Sequence, residues 1–199
     1  MISRRLWLTA TAALAATLVA RPAAAAQTLT VAVPSNAVGA IVVAVGGAAV
    51  DVTLDRDLGA AEIAIDGKRT SVADGLRLAQ PNFLDDPRNA PKLGASVRKA
   101  LAAARPELAA RFDSNHKAWT HPFVRKVLAW NARLAKSPVR DKRVADTLGR
   151  AALLEWAGAV VDPAGERPPA ALARAPRDAA AATLASYVAY VDALVLALG

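Results

Sequence analysis

The sequence predicts a helix-rich α/β fold, and three observations carry that reading. Leu29, Val31 and Val33 alternate with other residues, as do Val50, Val52 and Leu54, on either side of an apolar run over residues 37–45 that stops at Gly46-Gly47. That is the pattern of a strand, a buried helix and a second strand, a βαβ unit with a parallel pair. Leu108, Phe112, Trp119, Phe123, Val127, Trp130 and Leu134 then fall within an arc of about 100° on one helix, a wide core-facing stripe. Leu184, Val188, Val191, Val195 and Leu198 mark a second helical face at the C-terminal end.

The elements follow in order. Residues 28–33 form the first strand, and Pro34-Ser35-Asn36 is a turn carrying the cap of the 37–45 helix. Ile63 and Ile65 mark a third strand closed by an Asp66-Gly67 turn. Ser71 is expected to cap a short helix over residues 71–79, with Asp74 at the capping-box position. Asp86-Pro87 starts a stronger helix, Asp as cap and Pro in the first turn, with Ala90, Leu93, Val97, Ala100 and Ala104 at helical spacing. Arg105-Pro106 interrupts it, and a longer helix follows to about residue 135, which Pro122 should kink or divide. A further amphipathic helix is expected over residues 144–157, stopped by Gly158, then a short strand over 159–161. Residues 162–176 hold Pro163, Pro168, Pro169 and Pro176 and read as a linker or irregular loop before the last helix.

The chain has 199 residues, 54% apolar and 21% charged, with a formal net charge of +8 and no cysteine. Such a composition packs a core and is not that of a disordered chain. The missing cysteine excludes a disulfide scaffold, thiolate metal sites and a Cys nucleophile. No Gly-rich phosphate loop, Ser nucleophile elbow or histidine–acid constellation is present, so a non-enzyme is expected. Arg4 and Arg5, an apolar run over 6–20, the Arg21-Pro22 break and Ala23 to Ala26 make the parts of a cleaved signal peptide over residues 1–26. Ser3-Arg4-Arg5-Leu6-Trp7-Leu8 also resembles the twin-arginine export motif, so either that route or the general secretory route serves. Cleavage would leave 173 residues with a net charge of +5, a periplasmic protein for which nucleic acid is not an expected partner. Residues 88–143 contain 14 Lys/Arg and only 3 Asp/Glu, whereas both flanking segments are net acidic. This marks either a solvated helical face or an electropositive surface for an anionic partner, with contact to a membrane surface through the basic helices among the candidates.

Pro81-Asn82-Phe83-Leu84-Asp85-Asp86-Pro87 opens the first long helix, and Arg105-Pro106-Glu107-Leu108 opens the next. Together they resemble the central segment of the zinc- and manganese-type ABC-transporter substrate-binding proteins, in which a Pro-His-x-Trp-Leu-Asp-Pro turn precedes a helix, a break and a long helix joining two lobes. Lys142-Arg143-Val144, Leu153-Leu154-Glu155-Trp156-Ala157-Gly158 and Ser186-Tyr187-Val188 resemble parts of the second lobe. The resemblance implies a shortened two-lobe substrate-binding-protein-like scaffold: a first lobe over 27–104, a long connecting helix over 105–137, and a reduced second lobe over 138–199 with a Pro-rich loop at 162–176 and a C-terminal helix. It implies a monomeric, non-catalytic, periplasmic solute-binding component of a metal-ion ABC system. Such a component takes a divalent metal ion as transported ligand, holds no resident cofactor, and has an ABC permease as partner. The alternative is a structural or interaction protein that kept the scaffold, lost metal binding and docks through its basic helices.

The family's metal histidines do not carry over. Residues 55–67 contain none, Asn82 stands in the Pro-His turn, and the third falls near Thr147 or Leu148. Asn82 and Asp85 remain as candidates to line a cleft, with Asp86 the helix cap. His116 and His121 are five apart, about 140° around a helix, where a shared metal site wants four. They are therefore expected as one packed and one exposed histidine, with a two-imidazole metal site as the less favoured reading. Trp119 and Trp130 lie on the core stripe and are expected in the core, not as a ligand platform.

Overall fold

The computed structural model describes residues 28–76 and 82–199, so the signal segment over 1–26 lies outside the described residues, as does Pro81. The fold is mixed α/β and helix-rich. Strand β1 (Leu29–Val33) and β2 (Val50–Leu54) pair in parallel, Leu29 opposite Val50 and Val33 opposite Leu54. Between them runs α1 (Asn36–Gly46), capped by Ser35, whose side chain accepts from the Val38 amide at 3.2 Å. No residue of α1 is charged, and eight of its eleven are buried, as expected of a helix that is apolar all round. It touches β2, α2 (Ala90–Ala104), α3 (Ala109–Leu134) and α6 (Leu184–Leu198).

β3 (Glu62–Ile65) joins β1 antiparallel and turns into β4 (Lys68–Ser71), giving the order β2-β1-β3-β4. The hairpin turn is Asp66-Gly67, both at positive φ, the geometry a tight twisted hairpin requires. β4 is the first correction. Ser71 ends a strand, paired with Glu62, and does not cap a helix. Residues 72–76 form a turn with Gly75 at φ +73; the rest of the expected 71–79 helix lies outside the described residues. Lys-Arg-Thr-Ser shows no apolar alternation because it is the sheet's solvent-facing edge.

Two 3-10 turns, Phe83–Asp85 and Pro87–Asn89, lead into α2. Asp86 caps the second, accepting from the Arg88 amide at 3.0 Å and gripping the same residue's guanidinium through two further bonds. α3 runs through Pro122 without dividing. Pro122 is exposed, so the carbonyl it leaves without an amide donor faces the water side of the helix. Gly94 lets α2 and α3 close: a Cβ there would meet Trp119 Cζ2 at 2.7 Å and His116 Cδ2 at 2.9 Å.

The helix expected over 144–157 is the second correction. Val144 belongs to β5 (Arg143–Val144), parallel to β6 (Val160–Val161), and α4 covers only Ala151–Trp156. The Asp146 carboxylate captures the amides of Leu148, Arg150 and Ala151, and Gly149 at φ +70 redirects the chain. A local side-chain bond thus replaces the first helical turns. The Pro-rich loop contains the single turn α5 (Ala170–Arg174). One continuous apolar core runs from Leu29 to Leu198. Trp119 and Trp130 lie in it, and Phe123 packs edge-on against both and stacks on Tyr187.

Candidate functional site

The site begins with the 82–90 segment. Asn82 takes the left-handed conformation at φ +65, Phe83 and Leu84 anchor into the core, and Asn89 Nδ2 donates to the Phe83 carbonyl at 2.9 Å. The Tyr187 hydroxyl donates to the Leu84 carbonyl at 2.8 Å. These bonds aim the Asp85 carboxylate inward, leaving it 1% exposed. Arg150, 4% exposed, donates from Nη1 to Asp85 Oδ2 at 2.9 Å, lies 3.3 Å from the Tyr190 hydroxyl, and donates from Nη2 to the Pro176 carbonyl. Tyr190 donates a short hydrogen bond to the other Asp85 oxygen. A carboxylate, a guanidinium and a phenol therefore meet in the interior, mutually satisfied.

Burial raises the Asp85 pKa to about 6, against the lowering influence of the Tyr190 hydroxyl and of Arg150. Burial likewise pushes the Tyr190 hydroxyl upward, reinforced by the Asp85 charge beside it. Asp85 is thus charged at neutral pH and loses its charge in mild acid, while Tyr190 stays a hydrogen-bond donor throughout.

Asp85 and Asn82 open onto one cavity of about 410 Å³, bounded also by Ser35, Arg56, Asp178 and Tyr190. The amino end of α1 lies at this cavity, a position where exposed amides and the helix dipole favour an anion. The chain supplies that anion itself. Asp178 accepts from the Asn36 amide at 2.8 Å and the Ala37 amide at 3.0 Å, and Asn36 Nδ2 donates to the Ala179 carbonyl at 2.9 Å. Asn82 is exposed and its amide donates to the Gly149 carbonyl at 3.0 Å, tying the 82–85 turn to the 146–150 turn.

His116 and His121 sit elsewhere, on α3. His116 is half-buried, its Nε2 3.2 Å from the Pro91 carbonyl and its ring edge-on to Trp119; His121 is exposed. Both border a shallow depression of about 420 Å³ with Lys117, Thr120, Val124 and Arg125. Neither candidate set suits a transition metal. The Asp85 oxygens are already taken by Arg150 and Tyr190, Asn82 offers one amide oxygen, and the two imidazoles share their depression with two cations and no acid. Among the described residues no cluster of three or more His, Asp or Glu side chains is placed to hold a metal ion.

Arg150, Tyr190 and Asp178 were not singled out by sequence reasoning. The available signals were a lone Arg at the head of the apolar Ala151–Trp156 segment and a lone Asp between the Pro-rich loop and the last helix. No known protein family, curated protein or solved structure matches the chain.

Proposed function

We propose that the chain is a non-catalytic, exported binding protein on the plan of the zinc- and manganese-type ABC-transporter substrate-binding proteins. In it a fixed guanidinium has replaced the transported cation. The observation that carries this reading is the Arg150–Asp85 pair: the cleft's buried carboxylate has a permanent, covalently tethered cation 2.9 Å away. A divalent ion entering there would have to expel a buried arginine and leave it unpaired, which costs several kcal/mol. The contact between the Asn82 turn and the 146–150 turn supports the plan, since the family's second and third metal ligands would fall on those two turns. In this reading residues 27–104 and 138–199 are the remnants of two lobes and α3 is their connector. The protein works by docking through its basic helices on an anionic partner, not by carrying a metal.

Isothermal titration of the full chain with zinc and with manganese tests this. The expected result is no submicromolar one-to-one binding of either ion. Tight one-to-one binding that Asp85→Asn abolishes would restore metal carriage in the cleft and overturn the proposal. Tight binding abolished by replacing His116 and His121 together would overturn it equally and place the metal on α3.

A further inference from the structure

We infer that the outer face of α3 is a docking surface for an anionic lipid bilayer. This deepens the docking reading above and rests on it; the zinc titration and the vesicle test below can fail separately. At about 100° per residue, Lys117, His121, Val124, Arg125 and Leu128 fall in one arc of roughly 100°, opposite the buried stripe of α3. Val124 is 43% exposed and Leu128 61% exposed, two aliphatic side chains held out in water beside cations. Arg111 and Lys136 extend the positive charge toward the two ends of a helix about 39 Å long. Among the described residues, Arg111, Arg125 and Lys136 have no ion-pair partner. The one acid of α3 is Asp113, already engaged by Arg98 and Lys117.

The pattern decides the class of partner. Protein interfaces concentrate their energy in exposed aromatic anchors, and every Trp and Phe of α3 points into the core instead. What remains outside is Lys117, paired with Asp113, and the ion-pair-free Arg111, Arg125 and Lys136 around a small aliphatic ridge, the combination that lies in a headgroup layer: charge against phosphates, aliphatic groups at the acyl boundary. A charged plane also needs no precise stereochemistry. It responds to local charge density, and residues 88–143, which contain α3, carry 14 cations to 3 acids.

The chain has no cysteine, so Leu128→Cys carries an environment-sensitive fluorophore at that single position, and Leu54→Cys on exposed β2 serves as control. Titrating the labelled full chains with phosphatidylglycerol-rich vesicles should brighten and blue-shift the label at 128 and leave the label at 54 unchanged. Pure phosphatidylcholine vesicles should do neither. Adding Lys117→Glu and Arg125→Glu to the 128-labelled chain should raise the lipid concentration for half-maximal signal at least ~20-fold. The inference fails if the 128 label stays silent, responds equally to neutral vesicles, or is indifferent to the charge reversals. It fails also if polyglutamate gives the same spectral shift, which would assign the face to an acidic protein.

Discussion

Replacing Arg150 by Met removes the built-in cation of the cleft while keeping most of the apolar stem. The guanidinium meets the Asp85 carboxylate, the Tyr190 hydroxyl and the Pro176 carbonyl, all in the interior. Its loss leaves a buried carboxylate with Tyr190 as sole side-chain partner, and breaking a buried pair from one side costs about 3–5 kcal/mol. For a domain of this size each kcal/mol moves the thermal midpoint by about 2–4 °C, so a drop near 10 °C is expected at pH 8. The pH dependence has a definite sign. An acid whose folded-state pKa lies above its unfolded value stabilises the fold below about pH 4, and that contribution is lost as the pH climbs through the folded value, about 6 for wild-type Asp85. Removing Arg150 lifts the folded value further. The deficit of Arg150→Met against wild type should therefore be larger at pH 8 than at pH 5, by about 1.4 kcal/mol for each additional unit of the shift. The double variant Arg150→Met/Asp85→Asn should recover most of the loss at pH 8. Urea unfolding followed by tryptophan fluorescence at both pH values measures all of this. A cost under about 1 kcal/mol at pH 8, or one that neither acid nor Asp85→Asn relieves, would mean that the Arg150–Asp85 pair does not hold the interior together.

Two further outcomes follow from the packing. Gly94→Ala places a Cβ within 2.7 Å of Trp119 and 2.9 Å of His116 and should cost about 1–3 kcal/mol in urea unfolding, as overpacking does. A neutral or stabilising result would mean that α2 and α3 are not in register as described. Asp178→Ala uncovers the Asn36 and Ala37 amides. It should cost about 1–2 kcal/mol and speed hydrogen exchange at those two amides; unchanged exchange there would show that Asp178 is not their cap.

The parts of the fold legible in the sequence are those with a period. β1 and β2 alternate, α1 is apolar throughout, and the stripe from Phe112 to Leu134 repeats at helical spacing, so burial alone writes them into the chain. β4 is polar because it is an edge, and α4 is short because Asp146 outbids the backbone for three amides; neither leaves an apolar period. The cleft was legible by half. Asn82 and Asp85 stand in a recognisable turn and do border the cavity. Their partners lie far away in sequence, Arg150 65 residues from Asp85 and Tyr190 105. A single arginine heading an apolar segment carries no mark of which carboxylate it will meet.

Those distant partners change what the cleft can ask of a ligand. An α1 amino end and a buried carboxylate are opposite electrostatic demands, one for an anion and one for a cation. In an open binding cleft a solute would answer them. Here Asp178 answers the first and Arg150 the second, and Arg150 also holds the Pro176 carbonyl two residues before Asp178. The segment that closes over α1 is thus fastened by the same guanidinium that neutralises Asp85. With both demands met inside the chain, the basic charge of the molecule concentrates in residues 88–143, a surplus of +11 that the acidic flanking segments offset only in part. That asymmetry is why the proposed recognition belongs to the outside of α3, where Arg111 and Arg125 have no ion-pair partner among the described residues, and not to the cleft, where the α1 amino end and Asp85 are already answered.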